Sequence, residues 1–274
     1  MNKYIKNSSR FFLLLGAFSL LLSCSTDEKQ KVTNYKTLVM QDEFDVNGAP
    51  NSALWNFEIG KGPNGDGWGN NELQYYTDRP ENIVVENGML KITAIRELYL
   101  GSAFTSARIT TKGKFEQKYG RFEARMKLPS GKGLWPAFWM LGNNIDTAIW
   151  PQCGEIDIME NKGSQPVTIS GAIHGPGYSG GNSILKSYTF TNSRVDTDFH
   201  IYGVEWGLNY VNFYVDDVLY NQITPEKVTG EWVFNSNPFY MLLNLAVGGN
   251  FDGAPNSQTI FPQTMYVDYV RIYE

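Results

Sequence analysis

Three carboxylates alternate with apolar residues in one short stretch, which reads GEIDIME and ends at Glu160. Successive side chains of a strand point to opposite faces, so Glu155 and Asp157 share one face while Ile156 and Ile158 share the other. In a regular strand Glu160 would lie on the isoleucine face, where burying an ionised carboxylate is costly. The stretch is therefore expected to depart from regular strand geometry before it ends.

A one-residue β-bulge at Ile158 and Met159 would return Glu160 to the face of Glu155, and bulges are common beside active sites. The two glutamates would then be four strand steps apart, roughly 13 Å between Cα atoms. Side chains that lean together across such a gap reach the roughly 5–5.5 Å separation of the carboxyls of a retaining glycosidase. The alternative is a solvent-facing acidic strand, but its three like charges would repel each other unless a cation or a function required them.

An aromatic stretch precedes these acids, and its alternation places Trp135, Ala137 and Trp139 on one face of a second strand. Tryptophans on one face of a sheet pack into a core in most sandwiches. They can also line a cleft and stack on sugar rings. Aromatic residues make up 14% of the chain, which either a β-rich core or a carbohydrate-stacking surface would explain.

Composition and charge exclude several classes of protein. The chain has 274 residues, with 42% hydrophobic and 19% charged residues, which is typical of a globular protein. Its net charge of −5 gives no basic surface for nucleic acid. The length is compatible with a single all-β domain.

Period-two hydrophobic patterns separated by turn residues run through the chain from residue 38 onward. The clearest is a hairpin signal in which Asn87-Gly88 joins two alternating segments. No segment after residue 37 has a helical period of twelve residues, so an all-β sandwich or jelly roll is predicted. The other clear strand patterns lie at residues 121–126, 211–215 and 265–273.

The N-terminus has the features of a targeting segment. Three basic residues within the first ten precede an apolar run at 11–22, which is too short to span a bilayer as a helix. The run ends in Leu-Leu-Ser-Cys, which resembles a bacterial lipobox with Cys24 as the acylated residue. The alternative is a soluble secreted protein cleaved near Ser23. Residues 1–23 are thus predicted to be a lipoprotein signal peptide, and the polar residues 24–36 a flexible tether.

The chain has two cysteines, Cys24 and Cys153. They could pair with each other in an extracellular protein. Acylation of Cys24 would instead leave Cys153 alone, and we interpret Cys153 as a small packed residue rather than a nucleophile, because no Cys/His constellation surrounds it.

The GEIDIME stretch resembles the active-site strand of glycoside hydrolase family 16, in the bulged form of its laminarinase-like members. Six further segments in family order extend the resemblance from about residue 38 to 274, and the stretch after the acids, HGPGY, begins at His174. These matching segments lie at residues 68–76, 106–109, 133–140, 174–178, and 244–249 together with 267–271.

The resemblance implies a β-jelly-roll (concanavalin A-like) sandwich over residues 37–274, with a concave cleft for glucan. It implies Glu155 as the nucleophile, Glu160 as the general acid/base and Asp157 as their electrostatic partner. These roles are chemically consistent, because a neighbouring negative charge raises the pKa of a carboxyl group and helps to keep the proton on Glu160. No cofactor is expected for catalysis.

The resemblance also implies a set of sugar-binding residues and a metal site. The sugar-binding residues are Asn71, Arg108, Trp135, Trp139 and His174. A structural Ca²⁺ away from the catalytic residues is implied at Glu43, Gly88 and Asp268, with carboxylate and backbone oxygens as suitable hard ligands. The second histidine, His200, is interpreted as structural.

The predicted function is that of an endo-β-1,3-glucanase that is anchored by lipid to the bacterial cell envelope, in the outer membrane with a periplasmic or surface-exposed domain. Its expected partners are a β-glucan and the membrane, with no nucleic acid, and a monomer is expected. Two alternatives stay open. One is a mixed-linkage β-1,3-1,4-glucanase with the same acids, and the other is a non-catalytic β-glucan-binding protein on the same sandwich.

Overall fold

Strands make up nearly all the regular structure of residues 35–274, the part of the chain that this computed structural model describes. The single α-helix in this range, α1, is one turn long, Gly249–Asp252. No helix among these residues is both long and apolar enough to cross a membrane. The predicted signal peptide, Cys24 and most of the predicted tether lie outside the described residues.

Seventeen strands follow one another along the described chain. Their bounds are β1 Leu38–Asp42, β2 Asn56–Phe57, β3 Gln74–Tyr76, β4 Ile83–Val85, β5 Leu90–Tyr99, β6 Ser102–Ser106, β7 Arg108–Thr110, β8 Gly120–Lys127, β9 Leu134–Gly142, β10 Glu155–Glu160, β11 Thr168–His174, β12 Ile184–Thr189, β13 His200–Gly207, β14 Tyr210–Val215, β15 Val218–Ile223, β16 Phe239–Val247 and β17 Gln263–Tyr273.

These strands form two sheets, which confirms the predicted all-β sandwich. The ten-stranded sheet has the order β15-β14-β13-β8-β17-β5-β6-β3, with β1 beside β17 and β4 beside β5. The seven-stranded sheet has the order β12-β11-β10-β9-β16-β7-β2. The acid strand β10 and the tryptophan strand β9 are therefore neighbours near the middle of the smaller sheet.

The predicted hairpin joins β4 to β5 in antiparallel register. Its turn residues Asn87 and Gly88 have φ angles of 57° and 71°. Positive φ at both central positions is what a two-residue type I′ turn requires, and asparagine and glycine tolerate it best. The other three predicted strand patterns correspond to β8, β14 and β17.

The main core lies between the two sheets, and alternation along the strands fills it. In β16, Met241, Leu243 and Leu245 point into this core. Their alternating neighbours Tyr240 and Leu242 point the other way, into a second and smaller apolar cluster. The smaller sheet thus has a core face and an outer face that is itself partly covered.

Cys153 belongs to that second cluster and is a free, buried cysteine. This placement agrees with its interpretation as a packed residue. Burial raises the pKa of its thiol to about 11, and the charge of Glu155 adds to the effect. The thiolate needed for nucleophilic chemistry is therefore disfavoured.

Candidate active site

The acid strand β10 contains the predicted bulge. Against β9, Asp157 pairs with Trp139 while Met159 pairs with Phe138, so Ile158 is the one extra residue on β10. A bulge of this kind places two residues opposite one and turns the strand that follows it. The prediction of its position from the sequence is confirmed.

The bulge decides which side chains leave the core. Ile158 and Met159, although consecutive, both belong to the main core between the sheets. Glu155, Asp157 and Glu160 all point to the outer face of the sheet, where they line one cleft. The bulge avoids a large energetic cost, because a regular strand would bury the charge of Glu160 on the isoleucine face.

Strands β9, β16 and β7, which follow β10 on one side of it in the sheet, complete the cleft together with the turn before β3. Half-buried Trp135 and Trp139 contribute its aromatic surface, as the family resemblance implied where alternation alone left core and cleft open. The residues that line the cleft are Asn70, Glu72, Arg108, Trp135, Ala137, Trp139, Glu155, Asp157, Glu160 and Asn244.

Glu160 is placed for proton transfer. Its Oε1 accepts a hydrogen bond of 2.9 Å from the indole N–H of Trp135. Burial raises the pKa of Glu160 to about 7, and the charge of Glu155 raises it further than the Trp135 hydrogen bond lowers it. A carboxyl group with a pKa near neutrality can both give and take a proton, as a general acid/base must.

Glu155 lies at the other end of the acid cluster. Its Oε2 accepts a hydrogen bond of 2.5 Å from the indole N–H of Trp150. Burial raises the pKa of Glu155, and so does the charge of Asp157, while His174 and the Trp150 hydrogen bond act in the opposite direction. Burial and the charge of Glu160 likewise raise the pKa of Asp157. Because like charges this close cannot all be ionised, the cluster retains at least one proton near neutral pH.

His174 is the histidine in contact with these acids. Its Nε2 lies 3.0 Å from Oδ2 of Asp157. Burial lowers the pKa of His174, but Asp157, Glu155 and Glu160 together raise it to about 9. The backbone N–H of Gly180 donates to Nδ1 over 3.0 Å, so protonation of Nδ1 requires that this hydrogen bond be given up. In either state Nε2 carries the hydrogen that faces Asp157.

Arg108 lies in the cleft as predicted. Its guanidinium carbon is 4.3 Å from the centroid of the Trp68 ring and 4.8 Å from that of Trp139. Its side chain also forms an ion pair with Glu58. Stacking between two rings fixes the guanidinium plane while leaving donors free for a ligand.

The predicted Asn71 lies beside the cleft rather than in its lining. Its side chain is exposed and donates a hydrogen bond of 2.9 Å to the side chain of Asn250 in α1. The preceding residue, Asn70, lines the cleft instead. The turn that carries both runs from Gly67 to Asn71 and has positive φ angles at Trp68 (58°) and at Asn71 (59°), so the direction of each side chain could not be read from an alternating pattern.

The predicted calcium ligands lie at one corner of the ten-stranded sheet. Glu43 follows β1, Gly88 precedes β5, and Asp268 is in β17, which pairs with both strands. However, the Glu43 carboxylate accepts two hydrogen bonds, of 2.7 and 2.8 Å, from Arg271. Asp268 accepts one of 2.7 Å from Arg125. The two carboxylates thus fit a cation poorly, and the calcium prediction depends on backbone carbonyl oxygens.

Within residues 35–274, one set of three His, Cys, Asp or Glu side chains is close enough to hold a metal ion. It consists of Glu155, Asp157 and His174, the acid cluster itself. Nδ1 of His174 accepts the Gly180 N–H and Nε2 carries the hydrogen that faces Asp157, so neither ring nitrogen is free to bind a metal ion in this arrangement.

The sequence reasoning missed four side chains at the site: those of Asn70, Glu72 and Asn244 in the cleft lining, and that of Trp150 beside it. Trp150 is 42% exposed in the loop before β10 and hydrogen-bonds to Glu155. Glu72 is buried in the cleft wall and accepts hydrogen bonds from three side chains. Glu72 stands within the matching segment at residues 68–76, but no alternating pattern indicated that its carboxylate points inward. Its three hydrogen-bond partners, Asn70, Gln74 and Tyr76, are near it in the sequence, and the turn between Gly67 and Asn71 brings them around the carboxylate.

Comparisons with known proteins agree with this geometry. A family model described as glycosyl hydrolases family 16 matches residues 70–271. A beta-glucanase of Rhodothermus marinus is 42% identical over 271 residues, which cover 93% of this chain and 92% of that protein.

Solved structures are also similar over most of the chain. The laminarinase catalytic domain from Thermotoga maritima has a TM-score of 0.83 at 49% identity, covering 88% of this chain and 99% of that one. A variant protein from Z. galactanivorans, solved in complex with laminaritriose and laminaritetraose, has a TM-score of 0.76 at 35% identity, covering 88% and 100%.

Proposed function

The chain belongs to glycosyl hydrolases family 16, and we propose that it is an endo-acting, retaining β-1,3-glucanase of the laminarinase type. One observation carries this proposal: the bulged strand β10 directs Glu155, Asp157 and Glu160 together into a cleft with two tryptophans. The substrate class follows from the relatives, which are named as a beta-glucanase and a laminarinase and match nearly the whole domain.

The proposed mechanism assigns one step to each glutamate. Glu160 donates its proton to the glycosidic oxygen while ionised Glu155 attacks the anomeric carbon, which gives a glycosyl ester on Glu155. Glu160, now ionised, then takes a proton from the incoming water, which attacks the ester and releases a product with the original β configuration. Trp135 holds the Glu160 carboxyl through its indole N–H.

Asp157 and His174 control charge in this scheme. Asp157 is buried between the glutamates and raises the pKa of Glu155. Its contact with His174 supplies a positive charge that opposes this effect. The pair therefore limits how much negative charge accumulates when Glu155 ionises and Glu160 gives up its proton.

The proposal is tested with initial rates of reducing-sugar release on laminarin and on barley β-glucan, together with NMR of the first products. We expect faster cleavage of laminarin and the β-anomer first. A higher rate on barley glucan would favour the mixed-linkage alternative. First appearance of the α-anomer would rule out retention, and absence of cleavage would favour a glucan-binding protein.

We further propose that the protein is a lipoprotein of the bacterial envelope, anchored through Cys24. This part rests on the basic, apolar and Leu-Leu-Ser-Cys segments of the N-terminus. Two acyl chains on one residue suffice for stable attachment. Cys24→Ser should move the protein from the membrane fraction to the soluble fraction with unchanged activity. Continued sedimentation with membranes would contradict it.

We also propose that the protein acts as a monomer, with a structural Ca²⁺ held by backbone carbonyl oxygens near Glu43, Gly88 and Asp268, because the two carboxylates are already paired with arginines. The monomer proposal is supported by the fact that one chain supplies all three acids and both tryptophans of the cleft. Calcium should raise Tm by about 2–4 °C relative to protein in EDTA, with kcat unchanged. An identical Tm in both conditions would contradict the calcium proposal. The monomer proposal is tested separately, by the mass of the purified protein from light scattering.

A further inference from the structure

A buried chain of hydrogen bonds runs from the indole of Trp139 to the carboxylate of Glu72. Trp139 Nε1 donates to Oδ1 of Asn244 over 2.7 Å. Asn244 Nδ2 donates to Oη of Tyr76 over 3.1 Å. Tyr76 Oη donates to Oε2 of Glu72, also over 3.1 Å. We refer to these four residues as the Glu72 chain.

The chemistry of its two ends fixes the direction of every bond in the Glu72 chain. An indole N–H can only donate, so the amide of Asn244 must present its oxygen to Trp139 and its NH₂ to Tyr76. The Tyr76 oxygen accepts that hydrogen and must direct its own O–H elsewhere. An ionised carboxylate can only accept, which makes Glu72 a suitable end point.

Two further side chains hold the Glu72 carboxylate. Gln74 Nε2 donates to Oε2 over 2.6 Å, and Asn70 Nδ2 donates to Oε1 over 3.3 Å. The oxygen of Gln74 in turn accepts the backbone N–H of Val247 over 2.7 Å. Burial raises the pKa of Glu72, while the charge of Arg108 and these donors oppose the effect. The carboxylate is thus fixed between β3 and β16.

A glycine in the turn before Glu72 allows the backbone to place this side chain in the cleft wall. Gly67 has a φ of 70°, and a Cβ there would lie 2.4 Å from the backbone nitrogen and oxygen of Glu72. The turn can therefore close on itself and direct Glu72 inward, toward the cleft wall.

Trp139 is consequently held from two sides. The Glu72 chain holds its N–H edge, and the guanidinium of Arg108 lies over its ring. A ring whose N–H reached only water could tilt freely, and binding a sugar would then cost the entropy of fixing it. A ring already fixed by buried partners avoids that cost.

We propose that Glu72 is a positioning residue that sets the orientation of Trp139 for stacking on the glucan. The inference rests on the glucanase function proposed above, because the orientation of Trp139 matters only if this ring stacks on a bound glucan. Within the described part of the chain, none of Glu72, Tyr76 and Asn244 hydrogen-bonds to the three catalytic acids. The Glu72 chain therefore acts on substrate binding and not on the proton transfer.

Tyr76→Phe tests the inference, since Tyr76 has 0% exposure and cannot touch a sugar itself. Loss of one ordinary hydrogen bond predicts an increase in KM for laminarin of about threefold to tenfold. The value of kcat should stay within about twofold, and the pH profile should keep its midpoints. An isolated fall in kcat, or a shifted pH profile, would overturn the inference.

A matched control separates positioning from general loss of stability. Tyr202 is also fully buried, and its hydroxyl has no hydrogen-bond partner among residues 35–274. Tyr202→Phe should leave KM unchanged. An equal rise in KM in both variants would overturn the inference.

A second pair of variants serves if Tyr76→Phe fails to fold. Glu72→Gln keeps an acceptor oxygen for Tyr76, so KM should remain within about twofold of the wild type. Glu72→Leu removes the acceptor, so KM should rise as for Tyr76→Phe. Equal KM in both variants overturns the inference, whereas a wild-type protein that does not cleave laminarin overturns the proposed function itself.

Discussion

The protein has two histidines, and each lies against an aspartate in a different setting. His174 and Asp157 are 3.0 Å apart, with side-chain exposures of 13% and 4%. His200 and Asp216 are 2.6 Å apart, with exposures of 7% and 48%. By distance alone the second pair is the tighter one. Its aspartate, however, is half in water.

The second pair also has a serine at the distance expected of a Ser-His-Asp triad. Ser193 Oγ lies 2.9 Å from His200 Nε2, but it also lies 2.7 Å from Oδ2 of Asp198, to which it can donate. Asp216 additionally accepts the backbone N–H of Ile201 over 2.8 Å. These bonds tie the loop before β13 to the turn after β14, which is a structural role.

The comparison teaches that the surroundings decide what a histidine–aspartate pair does. His174 lies beside three acids that line a cleft, Asp157 buried and the two glutamates half-buried, and the pKa values of all three are raised. His200 stacks on Phe190 at 4.3 Å, and no cluster of three such groups lies beside it among residues 35–274. Electrostatic coupling falls quickly when water can enter, so only the buried pair can tune catalytic carboxyls.

The largest effects should appear at the acids around His174. Glu155→Ala should reduce kcat by about 10⁴-fold or more, and Glu160→Ala by about 10²- to 10⁴-fold. Azide should rescue both. It should give the β-glycosyl azide with Glu160→Ala, where it attacks the glycosyl ester, and the α-azide with Glu155→Ala, where it replaces the nucleophile. NMR that shows the two anomers exchanged would exchange the roles of the glutamates.

A smaller effect is expected from His174→Asn, about tenfold to hundredfold in kcat, as for the loss of a hydrogen bond to a charged group. Glu160 must be protonated to act, so wild-type activity should fall as pH rises through its pKa of about 7. His174 lowers the pKa values of Glu155 and Glu160. Its removal should raise both, and the whole pH–rate profile should move to higher pH.

The smallest effect on activity is expected from the same substitution at the other histidine, His200. His200→Asn and Ser193→Ala should leave kcat, KM and the pH profile of laminarin cleavage within about twofold. Each should lower Tm by about 2–6 °C, because a part-buried hydrogen bond is lost. A fall in activity without a fall in Tm would show that the contrast between the two histidines is wrong.

The sequence by itself determined the strands, the Asn87-Gly88 hairpin and the bulge before Glu160. These features depend on near neighbours: alternation selects a face, and the cost of burying one carboxylate specifies the irregularity. The same local logic placed Trp135 and Trp139 in one row, although it left open whether that row faced the core or the cleft.

Only the tertiary structure decided which distant residues meet. Tyr76 and Asn244 are 168 residues apart in sequence but share a hydrogen bond, because the strand order brings their elements together at the cleft wall. The tertiary structure also placed Asn70 in the cleft instead of Asn71, and it brought Trp150 onto Glu155. Local periodicity contains no information on such contacts, since they depend on sheet order and on loop conformations that no repeating pattern encodes.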